Sequence, residues 1–247
     1  MKKNLLNIPA AAVAALVLAM IPTASHADLA FNASVVTDYR YRGISQTRLK
    51  PALQGGVDYT SGGLYVGAWA STIKWVEDFG GDAKVEIDLY GGYKGDIIKD
   101  SLTYDVGVLT YQYPSNKLKP IGGANANTTE IYGALTYGPA TLKYSHAVTD
   151  TFGNLDSKNS SYLDLSATFD VSGVSVVPHV GYQKITGPFS GPGSYTDYSL
   201  TASKDFSGLV VSAALIGTDA DKSFYVSPVN GKFLGKTAVV LAVKYNF

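Results

Sequence analysis

Acid–base catalysis near neutral pH most often uses histidine, and the chain has three, with no cysteine to serve as an alternative nucleophile. His26 falls in an N-terminal leader, which leaves His146 and His179. Ser145-His146 resembles a nucleophile beside its base, but neighbours along a strand point to opposite faces and cannot share a proton. His179 shares its face with Ser175 and Gln183 by parity, and it reads as a hydrogen-bonded polar residue. Asp150, Asn154, Asp156 and Asn159 in "DTFGNLDSKNS" are loosely calcium-like, yet they lack the regular acidic spacing and the closing Glu of a Ca²⁺ loop. "GPFSGPG" does not join a strand to a helix, so it is not a phosphate cradle. No catalytic residue, metal or cofactor is expected.

The constellation with chemical content is one of charge. Alternating positions of successive segments carry Asp38, Asp58, Glu86, Asp88, Asp105, Glu130, Asp164 and Asp197, in phase with Arg40, Lys84, Lys143, Lys244 and His179. Some of these must form cross-strand ion pairs. The surplus of carboxylates would favour cations if the face they share enclosed a pore.

The elements that carry them are strands. About twelve segments alternate with period two, each close to the length of a membrane-crossing strand. They run over 30–40, 52–60, 64–73, 84–95, 101–113, 128–137, 140–149, 161–170, 174–185, 196–205, 209–218 and 236–247. Their connections alternate strictly between tight turns ("SGG", "DIIKD", "GP", "VSG", "FSG") and longer loops such as "SNKLKPIGGANAN". An even number of strands with one short-turn end and one long-loop end is the layout of an outer-membrane barrel. The expected fold is therefore all-β: a transmembrane antiparallel up-and-down β-barrel with short periplasmic turns and longer extracellular loops.

Residues 1–27 read as a signal peptide, with a basic "MKKN", an apolar core and a small-x-small site at Ser25-His26-Ala27. The barrel then occupies 28–247, exported through the inner membrane to the bacterial outer membrane. Acidic and basic residues balance at 20 each over the whole chain, and loss of Lys2 and Lys3 with the leader leaves a slight acidic excess. That gives no footprint for nucleic acid.

A soluble sandwich also alternates, but its outer face carries Lys and Glu. Here the polar face is mostly Ser, Thr, Gly and Asp, as in Tyr162, Asp164, Ser166 and Thr168, opposite Leu163, Leu165, Ala167 and Phe169. The apolar face often ends in tyrosine (Tyr59, Tyr93, Tyr137, Tyr182, Tyr245), which suits a lipid–water interface. In lipid the sheet must close, because no water satisfies an open edge.

The stretch "SVVTDYRYRGISQTRLKPALQGGVDYTSGGLYVGAWAS" (34–71) resembles the opening of the TorF-type porins, a family of exported proteobacterial proteins. The resemblance rests on Thr37-Asp38-Tyr39-Arg40 running into Arg42-Gly43-Ile44-Ser45-Gln46, on Pro51-Ala52, Gly63-Leu64-Tyr65 and Trp69-Ala70-Ser71, and on "EIDLYGGYKG" and the final Tyr245 and Phe247. It implies an outer-membrane porin barrel and carries over no catalytic residue. Read physically, Arg40, Arg42 and Arg48 lie at or beyond the outer end of the first strand. There they would pair with Glu77, Asp78 and Asp82 of the next long loop, or with lipopolysaccharide.

The leading functional expectation is passive diffusion of small polar solutes, with mild cation preference. A closed structural or adhesive barrel is the alternative, and an outer-membrane lipid hydrolase a weaker one, since no His-x-Ser-Asn-Gly run occurs. Expected partners are outer-membrane lipid, lipopolysaccharide, small solutes and the barrel-insertion machinery. The last would read the closing strand through Tyr245 and Phe247, which share the lipid face with Val239, Leu241 and Val243.

Overall fold

A computed structural model describes residues 27–247. The expected signal peptide therefore lies outside the described residues except for Ala27. The strands are β1 (Asp28–Val36), β2 (Ala52–Ser61), β3 (Leu64–Thr72), β4 (Val85–Ile98), β5 (Leu102–Gln112), β6 (Thr128–Tyr137) and β7 (Ala140–Ala147). They continue as β8 (Ser161–Ala167 with Phe169–Val171), β9 (Val174–Lys184), β10 (Tyr195–Phe206), β11 (Leu209–Thr218) and β12 (Ala238–Asn246). The sheet contains thirteen strand segments, but the two parts of β8 pair with β9 in one unbroken register, as Ser166↔His179 and Phe169↔Val176 show. Counted so, the molecule is a closed 12-stranded antiparallel barrel.

Apart from β1 and β12, which pair to close the ring, every neighbour in the ring is also a neighbour in sequence. The tight turns form as their residues require. Ser172 and Gly173, and likewise Ser207 and Gly208, both take positive φ, the two-residue geometry that matches strand twist. β4 runs three residues further than the sequence pattern marks, through an irregularity between Asp96 and Ile98.

The outward face is apolar, with Leu89, Val106, Leu135, Leu165 and Leu200 all close to half exposed. Tyrosine and phenylalanine frame this belt. Tyr59, Tyr93, Tyr137, Phe206 and Tyr245 stand towards the turn end, and Tyr144, Tyr182 and Tyr198 towards the loop end. That is the surface of a barrel solvated by lipid.

The abundance of glycine and tyrosine, 26 and 18 residues, has a structural reason. Tyrosine rings lie flat on the wall where the facing strand carries glycine. Tyr132 stands in register with Gly107, Tyr90 with Gly67 and Tyr65 with Gly92. A Cβ at any of these glycines would come within 2.5 Å of a tyrosine atom. Glycine thus makes room for a ring that shields its backbone.

The packed apolar core sits at the loop end and not at mid-barrel. One cluster joins Tyr39, Tyr41, Ile73, Val76, Tyr111, Tyr113 and Leu118, and a second joins Ile44, Tyr195, Ala220 and Leu234. Both include residues of the first long loop, which turns inward.

Candidate functional site

β1 ends at Val36, so Asp38 and Arg40, expected on its lumen face, belong to the loop instead. The chain is held to the closing strand until Thr37, whose N–H donates to the Leu241 carbonyl at 2.9 Å. It then leaves the wall. Arg40–Tyr41 pairs with Ile44–Ser45 as a small hairpin, with Arg42 and Gly43 at its tip, both at positive φ. Glycine is required at 43 for a second reason: a Cβ there would stand 2.3 Å from the Thr218 methyl and 2.9 Å from the Asp197 Cβ. The tip therefore touches β10 and β11, three and two strands around the ring from its origin on β1.

Its side chains reach the rest of the circumference. Arg42 donates through Nη2 to both oxygens of Glu130 on β6, at 3.0 and 2.7 Å, and through Nη1 to Gln183 Oε1 on β9 at 2.5 Å. Its guanidinium also lies between the rings of Tyr41 and Tyr162, 4.7 and 4.2 Å from their centroids. Burial disfavours the charge on Arg42, but Glu130 and the hydroxyls of Tyr41 and Tyr111 outweigh it and hold the group above its ordinary pKa. Tyr39 donates to Glu86 on β4 at 2.5 Å, and Tyr41 to the Tyr111 hydroxyl on β5 at 2.7 Å. Burial first, then Glu86 and Asp88, push the Tyr39 hydroxyl up, so it stays a donor.

Within the loop, Asp38 accepts from Arg40 Nε at 2.7 Å and Ser45 Oγ at 2.5 Å, while Arg40 Nη1 caps the carbonyls of Gly43 and Lys236. Arg40 is 1% exposed and Arg42 7%. The loop is a strut inside the loop end of the lumen, held to β4, β5, β6, β9 and β12.

Below it the inward face is polar and charged. His179 Nε2 lies 2.6 Å from Asp164 and 3.1 Å from the Tyr162 hydroxyl, which donates to Asp197 at 2.9 Å. Tyr65 donates to Asp105 at 2.6 Å and also bonds the Tyr132 hydroxyl. Lys94 lies 3.7 Å from Asp105, and Lys143 stacks 3.9 Å above the Tyr132 ring. Tyr90 donates to Asp58 at 2.5 Å. Asp88 is buried on β4, and Lys244 stands on β12 in register with Ser34 of β1 and Val210 of β11.

Several charges sit elsewhere than parity placed them. Lys84 precedes β4, is 70% exposed and faces Glu77 at 3.5 Å, so it leaves the inward set. Arg48 does pair with the next long loop, through Asp78, but Arg40 and Arg42 turn into the barrel, where the loop's own Asp38 and Glu130 of the wall claim them. Lys94 was legible, since it continues the phase of Glu86 and Asp88. The inward path of Arg42 was signalled only by an Arg-Gly pair between "YRY" and "IS", a sequence that also fits an exposed turn. Ser145 is buried inside the barrel while His146 stacks on Tyr144 outside, so the two do face apart.

The sequence profile of the Gcw_chp family, described as a bacterial protein of unknown function, matches residues 21–247. The chain belongs to the Gcw_chp family. Among solved structures this Gcw_chp protein is similar to the NanC porin, with a TM-score of 0.54 and 11% identity over 89% of this chain and 99% of that one. It also aligns with LpxR from Salmonella typhimurium (TM-score 0.46, 12% identity, 88% of this chain and 99% of that one). A third match is OprD from Pseudomonas aeruginosa, with a TM-score of 0.41 and 13% identity over 89% of this chain and 66% of that one. At such identities the likeness is one of fold. No curated protein sequence matches the chain.

Proposed function

We propose that this Gcw_chp barrel is an outer-membrane channel for passive diffusion of small polar solutes, narrowed at its outer end by its own first loop. The observation that carries this reading is the polar inward face below the strut. A barrel that only needed a core would fill that space with apolar side chains. Here it holds Asp58, Lys94, Asp105, Lys143, Asp164 and His179, and Asp88 Oδ1 has no protein partner among the described residues. Such groups suit a wetted lumen.

A mild cation preference belongs to the same proposal. Arg42 and Lys94 join the inward cations, and Lys84 leaves them, so the acidic surplus is smaller than parity alone gives. Among the described residues, Glu86 and Asp88 nevertheless have no cation within salt-bridge distance. Single-channel recording in planar bilayers tests both parts. Discrete steps with a reversal potential on the cation side under a salt gradient are the expected result, and a current-free bilayer or a chloride-side potential contradicts the proposal.

The strut itself favours a second reading, a closed barrel that acts through its loops and does not conduct. Persistent absence of current, even after loop 1 is released, would select it. A hydrolase finds less support, because His179 Nε2 is committed to Asp164 and Tyr162 and, among the described residues, no serine hydroxyl bonds it. The resemblance to TorF-type porins, strongest over the first 95 residues, includes Thr37 to Gln46, which build the strut, and placing this chain with them belongs to the same proposal. Export by the 1–27 leader, contact with lipopolysaccharide, and delivery to the insertion machinery through Tyr245 and Phe247 complete the proposal.

A further inference from the structure

Above the strut, the loop end encloses a cavity of about 320 Å³. That lies at the small end of ligand pockets, which run from about 300 to 1,000 Å³. Each of the six long loops contributes: Ile44 from the first, Trp75 from the second, Leu118 from the third, Phe152 from the fourth, Ile185 from the fifth and Tyr225 from the sixth. None of the lining residues is charged. This sets the cavity apart from the lumen below it, where carboxylates and ammonium groups face one another.

The walls are preformed. Tyr41 and Phe152 meet edge to face at 5.1 Å, and Tyr195 and Tyr225 at 5.0 Å, contacts that fix the rings before any ligand arrives. The polar groups on the lining are largely spent within the protein. Gln183 accepts from Arg42 and donates to the Ser161 and Lys184 carbonyls. Ser45 donates to Asp38, and the Tyr225 hydroxyl donates to the Gly193 carbonyl. Among the described residues, what stays uncommitted is the Tyr195 hydroxyl, the Trp75 indole N–H and two side-chain carbonyls, those of Gln46 and Asn154. A sugar would present more hydroxyls than these can satisfy, and an ionised ligand would be stripped of water with no opposite charge to meet it.

We infer that this cup is a binding site for a small, neutral, ring-bearing apolar molecule with one or two hydrogen-bonding groups. The assignment goes beyond the channel reading and does not depend on it, because the cup lies outside the strut whether or not the lumen conducts. Its apolar walls bind by area removed from water and by ring contacts, and the few open polar groups orient the ligand.

The chain has two tryptophans, Trp69 in the wall and Trp75 on the cup. Trp69→Phe therefore leaves Trp75 as the sole reporter. In the full chain in lipid nanodiscs, N-phenyl-1-naphthylamine should quench Trp75 emission saturably, after subtraction of the partition measured with empty discs. Its sulfonated relative 8-anilino-1-naphthalenesulfonate should bind at least about tenfold more weakly, since the sulfonate is desolvated without a partner. Maltose should compete with neither. The double variant F79D/I121D places charge on two rim residues that are 49% and 57% exposed, so it should fold, and it should lose at least about tenfold in probe affinity by the same desolvation argument. Quenching that rises linearly and equally in that variant means lipid partition only and overturns the assignment. Equal binding of the sulfonate, or displacement by maltose, overturns it too.

Discussion

Phe31 and Phe247 exchange both backbone hydrogen bonds, at 2.9 and 3.0 Å, and stack their rings at 5.9 Å, and with this pair the barrel closes. Tyr245 extends the stack, 5.8 Å from Phe247. Every other seam in the ring is a hairpin whose register a tight turn or a loop helps to set. The β1–β12 seam joins distant parts of the chain, so its register must come from the pairing itself.

Phe247→Ala should therefore weaken closure more than an exposed apolar truncation would. Loss of the ring contact alone is worth about 0.5–1.5 kcal/mol, in addition to the apolar area lost. The urea midpoint of the heat-modifiable folded form should fall, and Phe247→Tyr should restore most of it. A midpoint unchanged in the alanine variant would show that the seam is held by backbone pairing alone.

Arg42 is the pin of the strut. Removing one partner of a buried ion pair costs about 3–5 kcal/mol, and both side chains of this pair are buried. Arg42→Ala should lower stability and raise mean conductance, as the hairpin tip loses Glu130 and Gln183 together. Arg42→Ala with Glu130→Ala should recover part of the stability, since no carboxylate is then left unpaired, but none of the closure. Identical currents in wild type and both variants would show that the loop does not limit flow.

The wall was legible in the sequence and the strut was not, for a physical reason. Period-two alternation reports which face each residue takes, so the ring of strands and most inward charges follow from residues such as Glu86, Asp88 and Asp164. Loop 1 carries no period. Its Tyr39, Arg40, Tyr41 and Arg42 are amphipathic side chains equally suited to solvent, to lipopolysaccharide or to a polar lumen. Only the partners across the barrel, Glu86, Tyr111, Glu130 and Gln183, decide between these, and they are distant in sequence. Glycine was legible as composition but not as position: that Gly107 faces Tyr132 needs the β5–β6 register.

That register makes a matched test. At Gly107 a Cβ would lie 2.5 Å from the Tyr132 hydroxyl and 2.6 Å from the Gly91 carbonyl, whereas at Gly133 the nearest atom is a Val106 methyl at 4.0 Å. Gly107→Val should cost about 1–3 kcal/mol by overpacking and should displace the ring on which Lys143 rests. Gly133→Ala should stay within about 0.5 kcal/mol of wild type. Urea midpoints of the two variants, read side by side, check this, and equal midpoints would remove the ring-on-glycine account of the wall.

Asp88 gives the cleanest handle on selectivity. It is buried on the inward face of β4, and among the described residues its Oδ1 has no protein partner, so Asp88→Asn orphans no described cation. Asp38, Glu130 and Asp164 are unsuitable, because each neutralisation would also release Arg40, Arg42 or His179. In the Arg42→Ala background, where flow is expected to be larger, Asp88→Asn should move the reversal potential under a salt gradient towards zero while leaving unit conductance nearly unchanged. Lys143→Met should move it the other way, further to the cation side. If neither substitution shifts the potential, ions do not pass these residues, and the inward charges serve only to hold the wall together.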